Sequence, residues 1–407
     1  MLIAGRGAIR LFFVITPFVC FAAGFFIVKT FNYIKKCKEE VIKILLIVIL
    51  ILAIVGAVYS LFGFVNSTST QAKYTGPSAN LQWQRAMEWV RNETPINSIF
   101  VHWWDYGYWV QYLGERATMV DGGHPYPGRN HLVGRYILTT PRPETALSFM
   151  KVENVSYLLI DPTDIGKYPA YSKIGSDETG EDRYSWIPTM LLDERQTQET
   201  NNQTIYVYSG GTVLDEDIIY KENEKEIFLP EKKAILAGII LETTKSKNTV
   251  SLKQPKGVFF YNEKQTRIPL RYVYYNGEIL DFKNGLDVVV YIIPKVDQTS
   301  QGIQVNNLGA VIYLSPKVSK SLVAQLYLMN DSFDSYKTIK LVHSEPDPII
   351  ESLNSQGLNL NEFIYFNGIK GPIKIWKVDY PSNIIAREEF LNYTGEWAEF
   401  DDLEFTR

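Results

Sequence analysis

The sequence predicts two transmembrane helices followed by a mixed α/β extracytoplasmic globular domain with a β-rich insertion. Three observations predict it. Leu11–Val28 and Ile44–Val65 run 18 and 22 residues without a charge, long enough to cross a hydrocarbon layer as helices rising about 1.5 Å per residue. From residue 77 onward the apolar residues alternate between helical and strand spacing, the texture of an α/β layer. Between 215 and 305 that texture gives way to short β-rich runs broken by turn residues. At 407 residues, 46% of them apolar, the chain has material for more than one core.

Taken in order, 1–65 is the membrane part. Two long spans in tandem fit a cleaved leader poorly, because a leader has a single short apolar core. Lys29, Lys35, Lys36, Lys38 and Lys43 crowd the connection between the spans, which places it in the cytoplasm and everything after Val65 on the outer face of the cell membrane. Residues 1–65 carry a net charge of +5 and the remainder −9. An acidic exterior has no electrostatic footprint for nucleic acid. The two cysteines, Cys20 and Cys37, lie in a span and in the Lys-rich loop, so the exterior cannot rest on disulfides.

Residues 66–76 are polar and Ser/Thr-rich and read as a linker. The central α/β domain spans 77–214. In it Trp83, Ala86, Met87 and Val90 fall on one helical face, started by Pro77-Ser78. Ile99–Val101 reads as a short buried strand, Ala146–Met150 as helix, Val155–Ile160 as strand, and Ile205–Tyr208 as a closing strand. The β-rich insertion, 215–305, contains Asn276-Gly277 between two strand-like runs, a type I′ hairpin signal. The central domain resumes over 306–407 with a strand at Ala310–Leu314, a helix at Lys320–Met329, strands near Ile339–Val342 and Ile373–Val378, and an acidic tail at Glu396–Glu404.

The most informative segment is Val101-His-Trp-Trp-Asp-Tyr-Gly-Tyr-Trp109, five of whose nine residues are Trp or Tyr around one carboxylate. Buried Asp is costly without donors, and Trp and Tyr need partners for their N–H and O–H groups. One reading is a small pocket for a hydroxyl-bearing group, with indole N–H donors, a carboxylate to accept the hydroxyl proton and ring walls that exclude water. The other is a core aromatic cluster with a turn Asp. His102, His124 and His131, with Asp105 and Asp121 nearby, match no standard zinc spacing and read as hydrogen-bonding residues.

The pentapeptide Trp103-Trp104-Asp105-Tyr106-Gly107 resembles the signature of the catalytic subunit of oligosaccharyltransferase, in its archaeal type. That membrane enzyme moves an oligosaccharide from a lipid pyrophosphate carrier to Asn in Asn-X-Ser/Thr. The resemblance implies that Trp103, Trp104 and Asp105 bind the Ser or Thr of the acceptor, with Tyr106 and Gly107 completing the motif. It also implies a second acceptor motif, Asp-x-x-Lys on a helix, matched by Asp164-Ile165-Gly166-Lys167. Taken alone that pattern marks an exposed ion pair. The aliphatic residue that the family carries four positions after the Lys is Tyr171 here, a departure. Ile174 is the candidate to supply the missing contact, and Pro169 makes the local helix irregular.

Arg10, directly before the first span, reads from its position as an interfacial anchor. By resemblance it grips the pyrophosphate of the donor, with Arg6 a weaker second. The resemblance runs from the first span through about residue 175, returns near 315–329 and 374–381, and is loose in the β-rich part. It implies an inverting glycosyltransferase whose catalytic carboxylates and divalent metal, Mg or Mn, sit on loops preceding this chain. No catalytic or metal-ligating residue is therefore expected here. The chain is expected to be a C-terminal part, with its spans the last two of a multi-pass membrane domain, and inactive in isolation. The implied partners are an acceptor polypeptide, a polyprenyl (dolichyl)-linked oligosaccharide and the membrane. The alternative is a membrane-anchored, non-catalytic peptide-binding module. Asn66, Asn92, Asn154, Asn202, Asn330 and Asn392 each begin an Asn-X-Ser/Thr sequence of the chain's own.

Overall fold

The computed structural model describes residues 12–124, 128–222, 225–246, 249–300 and 302–392. Arg6, Arg10, Leu11 and the acidic tail lie outside the described residues. The chain divides into two units, Met1–Asn80 and Leu81–Arg407.

The first unit holds α1 (Phe12–Lys36) and α2 (Glu40–Thr75), both long and apolar enough to cross a membrane. Lys35 and Lys36 close α1, where cations complement the helix dipole. Phe18, Phe21, Leu52 and Phe62 are exposed, a surface suited to hydrocarbon rather than water. The stretch expected as a linker is not one: α2 continues through Asn66–Thr75. Those residues are polar but include neither Pro nor Gly, so nothing stops the helix before Gly76, whose φ of 60° ends it. At 36 residues, α2 is about 54 Å long, well beyond a hydrocarbon core of about 30 Å.

The second unit opens with α3 (Leu81–Glu93), which buries Trp83, Ala86, Met87 and Val90 as their spacing predicts. It then builds a five-stranded sheet from β1 (Ile99–Val101), β2 (Ala117–Thr118), β3 (Tyr157–Ile160), β4 (Ile339–Glu345) and β5 (Ile373–Val378), in the order β4-β5-β3-β1-β2. β1 runs parallel to both β2 and β3, with Phe100 opposite Tyr157 and Val101 opposite Leu158. Helix α4 (Gly107–Tyr112) follows β1, α5 (Pro143–Val152) leads into β3, and α6 (Asp164–Ile174) leaves it. The irregularity expected at Pro169 does not break α6, which runs through it.

Beside the five-stranded sheet stand a separate hairpin, Ile218–Glu222 with Lys225–Leu229, and a twelve-stranded sheet. Its strand Lys264–Tyr275 pairs both with Lys256–Tyr261 and with Leu286–Thr299, so the sheet closes on itself into a barrel. Tyr208, Leu236, Ile239, Phe259, Ile268, Leu270, Val288 and Ile292 fill its core. Asn276 and Gly277, at φ 51° and 82°, make the expected hairpin turn. The boundaries differ from the sequence reading. Ile205–Tyr208, expected to close the α/β sheet, lies in strand Gln203–Val213 of the barrel, paired with Ile235–Ser246. Ala310–Leu314 is likewise a barrel strand. Alternating apolar residues say that a segment is a strand, but the sheet it joins is set by pairing over long sequence distance. The helix expected at Lys320–Met329 is a π-helix at Val323–Leu328, preceded by a Ser315-capped helical turn at Pro316–Ser319.

Candidate functional site

Parallel neighbours β1 and β3 end side by side, so the residues after each strand arrive at the same edge. Such carboxyl edges are where α/β sheets form binding crevices. Strand β1 delivers the aromatic motif and β3 delivers Asp161–Lys167.

His102, fully buried, donates from Nδ1 to the Trp103 carbonyl at 2.7 Å. Burial pushes its pKa down to about 4, so the ring is neutral at ordinary pH. Trp103 is extended at φ −68°, ψ 142°, and Trp104–Tyr106 forms a tight turn into α4. Gly107 is required by close approach: a Cβ there would lie 2.6 Å from the Val120 carbonyl oxygen and from Asp121 Cα. The Trp103 ring is buried between Trp104, at 6.3 Å, and Tyr171, at 5.6 Å. Trp104 is half-buried, edge-on to His124 at 4.8 Å. Neither indole N–H has an acceptor among the described residues.

Asp105 Oδ2 pairs with Lys167 Nζ at 2.8 Å, both side chains being partly exposed. Lys167 also donates to the Tyr106 hydroxyl at 2.9 Å, and that hydroxyl lies 2.8 Å from Asp164 Oδ1. Asp164 is fully buried and accepts the Asp161 backbone N–H at Oδ2. Burial, and then the negative charge of Asp161, raises its pKa to about 7. Burial and the same two carboxylates hold the Tyr106 hydroxyl well above its usual range. Asp161, 4% exposed, accepts from the Trp83 indole at 2.8 Å and from the Thr163 N–H at 2.7 Å and hydroxyl. Trp83 in turn stacks on Tyr106 at 5.0 Å.

The structure thus gathers Trp103, Trp104, Asp105, Tyr106, Gly107, Asp164 and Lys167 into one cluster, but not with equal access. Trp104, Asp105 and Lys167 reach the surface. Asp164, Tyr106 and Gly107 are buried, and Asp164 meets the surface residues of the cluster only through the Tyr106 hydroxyl. Tyr171, the departure from the resembled pattern, is buried under Trp103 and donates to the Asp164 carbonyl at 3.1 Å. Ile174 ends α6 and is 38% exposed. Sequence reasoning missed Trp83, Asp161 and Thr163. The available signal was Asp161-Pro162 at a strand end, an Asp and Pro pair of the kind that starts helices.

Among the described residues no three His, Cys, Asp or Glu side chains gather as a metal site. The three carboxylates here are engaged by an ammonium, an indole, a phenol and backbone N–H groups. So engaged, they do not fit a divalent cation.

The family model described as STT3/PglB/AglB core domain matches residues 97–215, the span that contains this cluster. Residues 97–215 are similar to that core domain. Similar proteins include dolichyl-phosphooligosaccharide-protein glycotransferase 1 of Pyrococcus horikoshii, 29% identical over 50% of this chain and 21% of that protein. The stt3 subunit of dolichyl-diphosphooligosaccharide–protein glycosyltransferase from Schizosaccharomyces pombe is 28% identical over 27% of this chain and 16% of that protein. The chain therefore spans about a fifth of the length of these relatives. Among solved structures, the C. jejuni pglb C-terminal domain aligns with 73% of this chain and 99% of its own, at 10% identity and a TM-score of 0.33. The apo Archaeoglobus fulgidus oligosaccharyltransferase aligns with 86% of this chain and 39% of its own, at 12% identity and a TM-score of 0.39. The matched residues contain both motif segments, from Trp103 to Gly107 and from Asp164 to Lys167.

Proposed function

We propose that this chain supplies acceptor recognition to an oligosaccharyltransferase that transfers a polyprenyl-linked oligosaccharide to Asn of Asn-X-Ser/Thr. The observation that carries this reading is the Asp105–Lys167 pair beside Trp104, at the joint carboxyl edge of β1 and β3. Lys167 pins one carboxylate oxygen of Asp105, and Oδ1 has no hydrogen-bond partner among the described residues. That oxygen accepts the proton of the acceptor's Ser or Thr hydroxyl, while the Trp104 indole N–H donates to the hydroxyl oxygen. The half-buried rings shield these bonds from water, and the threonine methyl adds apolar contact.

In this reading α1 and α2 span the membrane, the Lys-rich turn between them is cytoplasmic, and the globular unit lies on the outer face. Arg10 would meet the donor pyrophosphate there, its planar fork suited to paired phosphate oxygens. Mg or Mn chemistry would depend on ligands other than the carboxylates of this cluster, and would stabilise the leaving pyrophosphate.

The test is peptide binding to the 407-residue chain in detergent micelles. A peptide containing Asn-Val-Thr is expected to bind about 5- to 150-fold more tightly than one containing Asn-Val-Ala, because a lost buried hydrogen bond costs about 1–3 kcal/mol. Asn-Val-Ser should fall between them, since one methyl is worth about 0.8 kcal/mol. Asp105→Ala should erase the preference while the domain stays folded. Equal affinity for the Thr and Ala peptides would refute the acceptor reading and leave the cluster as core packing.

A further inference from the structure

The acceptor edge carries more negative charge than its single ammonium neutralises. Lys167 pairs with Asp105 and acts on Asp164, behind which Asp161 lies, and no other ammonium contacts these three carboxylates among the described residues. Two of the three are buried, an arrangement expected to be unfavourable unless something holds it in register. The register comes from one hydroxyl. Tyr106 Oη accepts from Lys167 at 2.9 Å and lies 2.8 Å from Asp164 Oδ1 and 2.9 Å from Thr163 Oγ1. A phenol has one proton to give. With Asp164 ionised, Tyr106 gives that proton to Asp164, and Thr163 separately bonds Asp161. With Asp164 protonated, the carboxyl donates to Tyr106, Tyr106 turns its proton to Thr163, and Thr163 donates to Asp161. The two bonding orders use the same heavy-atom positions and differ by one proton.

Asp161 makes both orders available. It is fixed by the Trp83 indole from α3 and by the Thr163 N–H, so it is a terminal acceptor in either state. Trp83 also lies against Tyr106. The charged and titratable groups facing Asp164 are Asp161 and Lys167 from its own segment, Tyr106 and, through Lys167, Asp105 from the motif turn, Tyr171 from α6, and Tyr327 from the turns at Val323–Leu328. Burial holds the phenols of Tyr171 and Tyr327 well above neutral pH.

We propose that Asp161 is a positioning residue for the acceptor site, holding with Trp83 and Thr163 a single exchangeable proton on Asp164 that controls how firmly Lys167 covers Asp105. This rests on the acceptor reading above. When Asp164 is ionised, two inner carboxylates draw Lys167 toward Tyr106, and Asp105 is left a stronger acceptor for the incoming hydroxyl. When Asp164 is protonated, one inner charge is gone and Lys167 settles on Asp105. Sequon affinity should therefore rise several-fold as pH increases through a midpoint near 7.

The experiment measures the affinity of the full chain in detergent for the Asn-Val-Thr and Asn-Val-Ala peptides from pH 5.5 to 8.5. A His124→Gln background removes the imidazole that lies edge-on to Trp104. Asp161→Asn keeps the shape but deletes the opposing charge, so the midpoint should move down by about one pH unit or more. Thr163 is exposed, so Thr163→Val is expected to fold, which urea unfolding checks. It removes the middle link of the protonated order and should move the midpoint in the same direction. A purely structural role would leave the midpoint where it is. If the wild-type chain prefers the Thr peptide but its affinity is flat with pH, or neither variant moves the midpoint, the inference is overturned while the acceptor reading stands. If no preference exists at any pH, the acceptor reading fails and the inference fails with it.

Discussion

Gly107→Ala tests the packing of the motif most directly. An ideal Cβ at Gly107 would stand 2.4 Å from Asp121 Cβ, 2.6 Å from Asp121 Cα and 2.6 Å from the Val120 carbonyl oxygen. Two of those atoms are backbone and cannot rotate aside, and comfortable carbon contacts begin near about 3.5 Å. Helix α4 and the 120–121 segment must therefore separate by about 1 Å. Overpacking of this kind costs about 1–3 kcal/mol, against a gain of up to about 1 kcal/mol for replacing glycine in a helix. The net expectation is a loss of about 1–2 kcal/mol, together with displacement of the adjoining Tyr106 hydroxyl from Asp164 and Lys167. Gly166→Ala is the matched control, because Gly166 lies in α6 with nothing within 4 Å of its Cβ position. It should stabilise by up to about 1 kcal/mol. All eight tryptophans follow residue 80, so fluorescence during urea unfolding reports the globular unit alone. A Gly107→Ala variant that unfolds at the same urea concentration as wild type, or two alanines acting with the same sign, would refute the close packing at Gly107.

Asp164 titrates near 7 in the fold against about 3.9 when unfolded. The native state therefore holds the extra proton between pH 4 and 7, and the globular unit should lose stability as pH rises through that window. Asp164→Asn should flatten the loss, and urea midpoints that do not change over this range would count against it. Lys374 is fully buried and donates to Glu362, to Asn330 Oδ1 and to the Tyr327 carbonyl. Lys374→Met should cost about 2 kcal/mol in urea unfolding, less than for a fully buried pair because Glu362 is one-third exposed, and Glu362→Gln should recover part of it. The Asn330 amide is held by the same pair, so glycopeptide mapping of the folded protein should find Asn330 unmodified. In sealed cells a membrane-impermeant thiol reagent should label Ser69→Cys and spare Cys37, and the reverse pattern would overturn the proposed orientation.

Much of the local structure was legible in the chain, because local structure depends on nearby residues. The spacing of Trp83, Ala86, Met87 and Val90 gave α3, the uncharged runs gave α1 and α2, and Asn276-Gly277 gave its hairpin turn. The motif residues stood out by composition alone. What the sequence left undecided was every question of pairing. Ile205–Tyr208 reads as a strand in any sheet, and only the bonds from Gln203–Val213 to Ile235–Ser246 place it in the barrel. The polar run after Val65 has the composition of a linker, yet composition does not stop a helix that lacks Pro and Gly. At the site the sequence supplied Asp105, Asp164 and Lys167 as matched letters. The parallel register of β1 with β3 decided that Asp105 meets Lys167 across 62 positions, that Asp164 is buried, and that Trp83 and Asp161 support them. A hydrogen bond or an ion pair is set by distance in space, and distance between residues so far apart in the chain is a property of the fold.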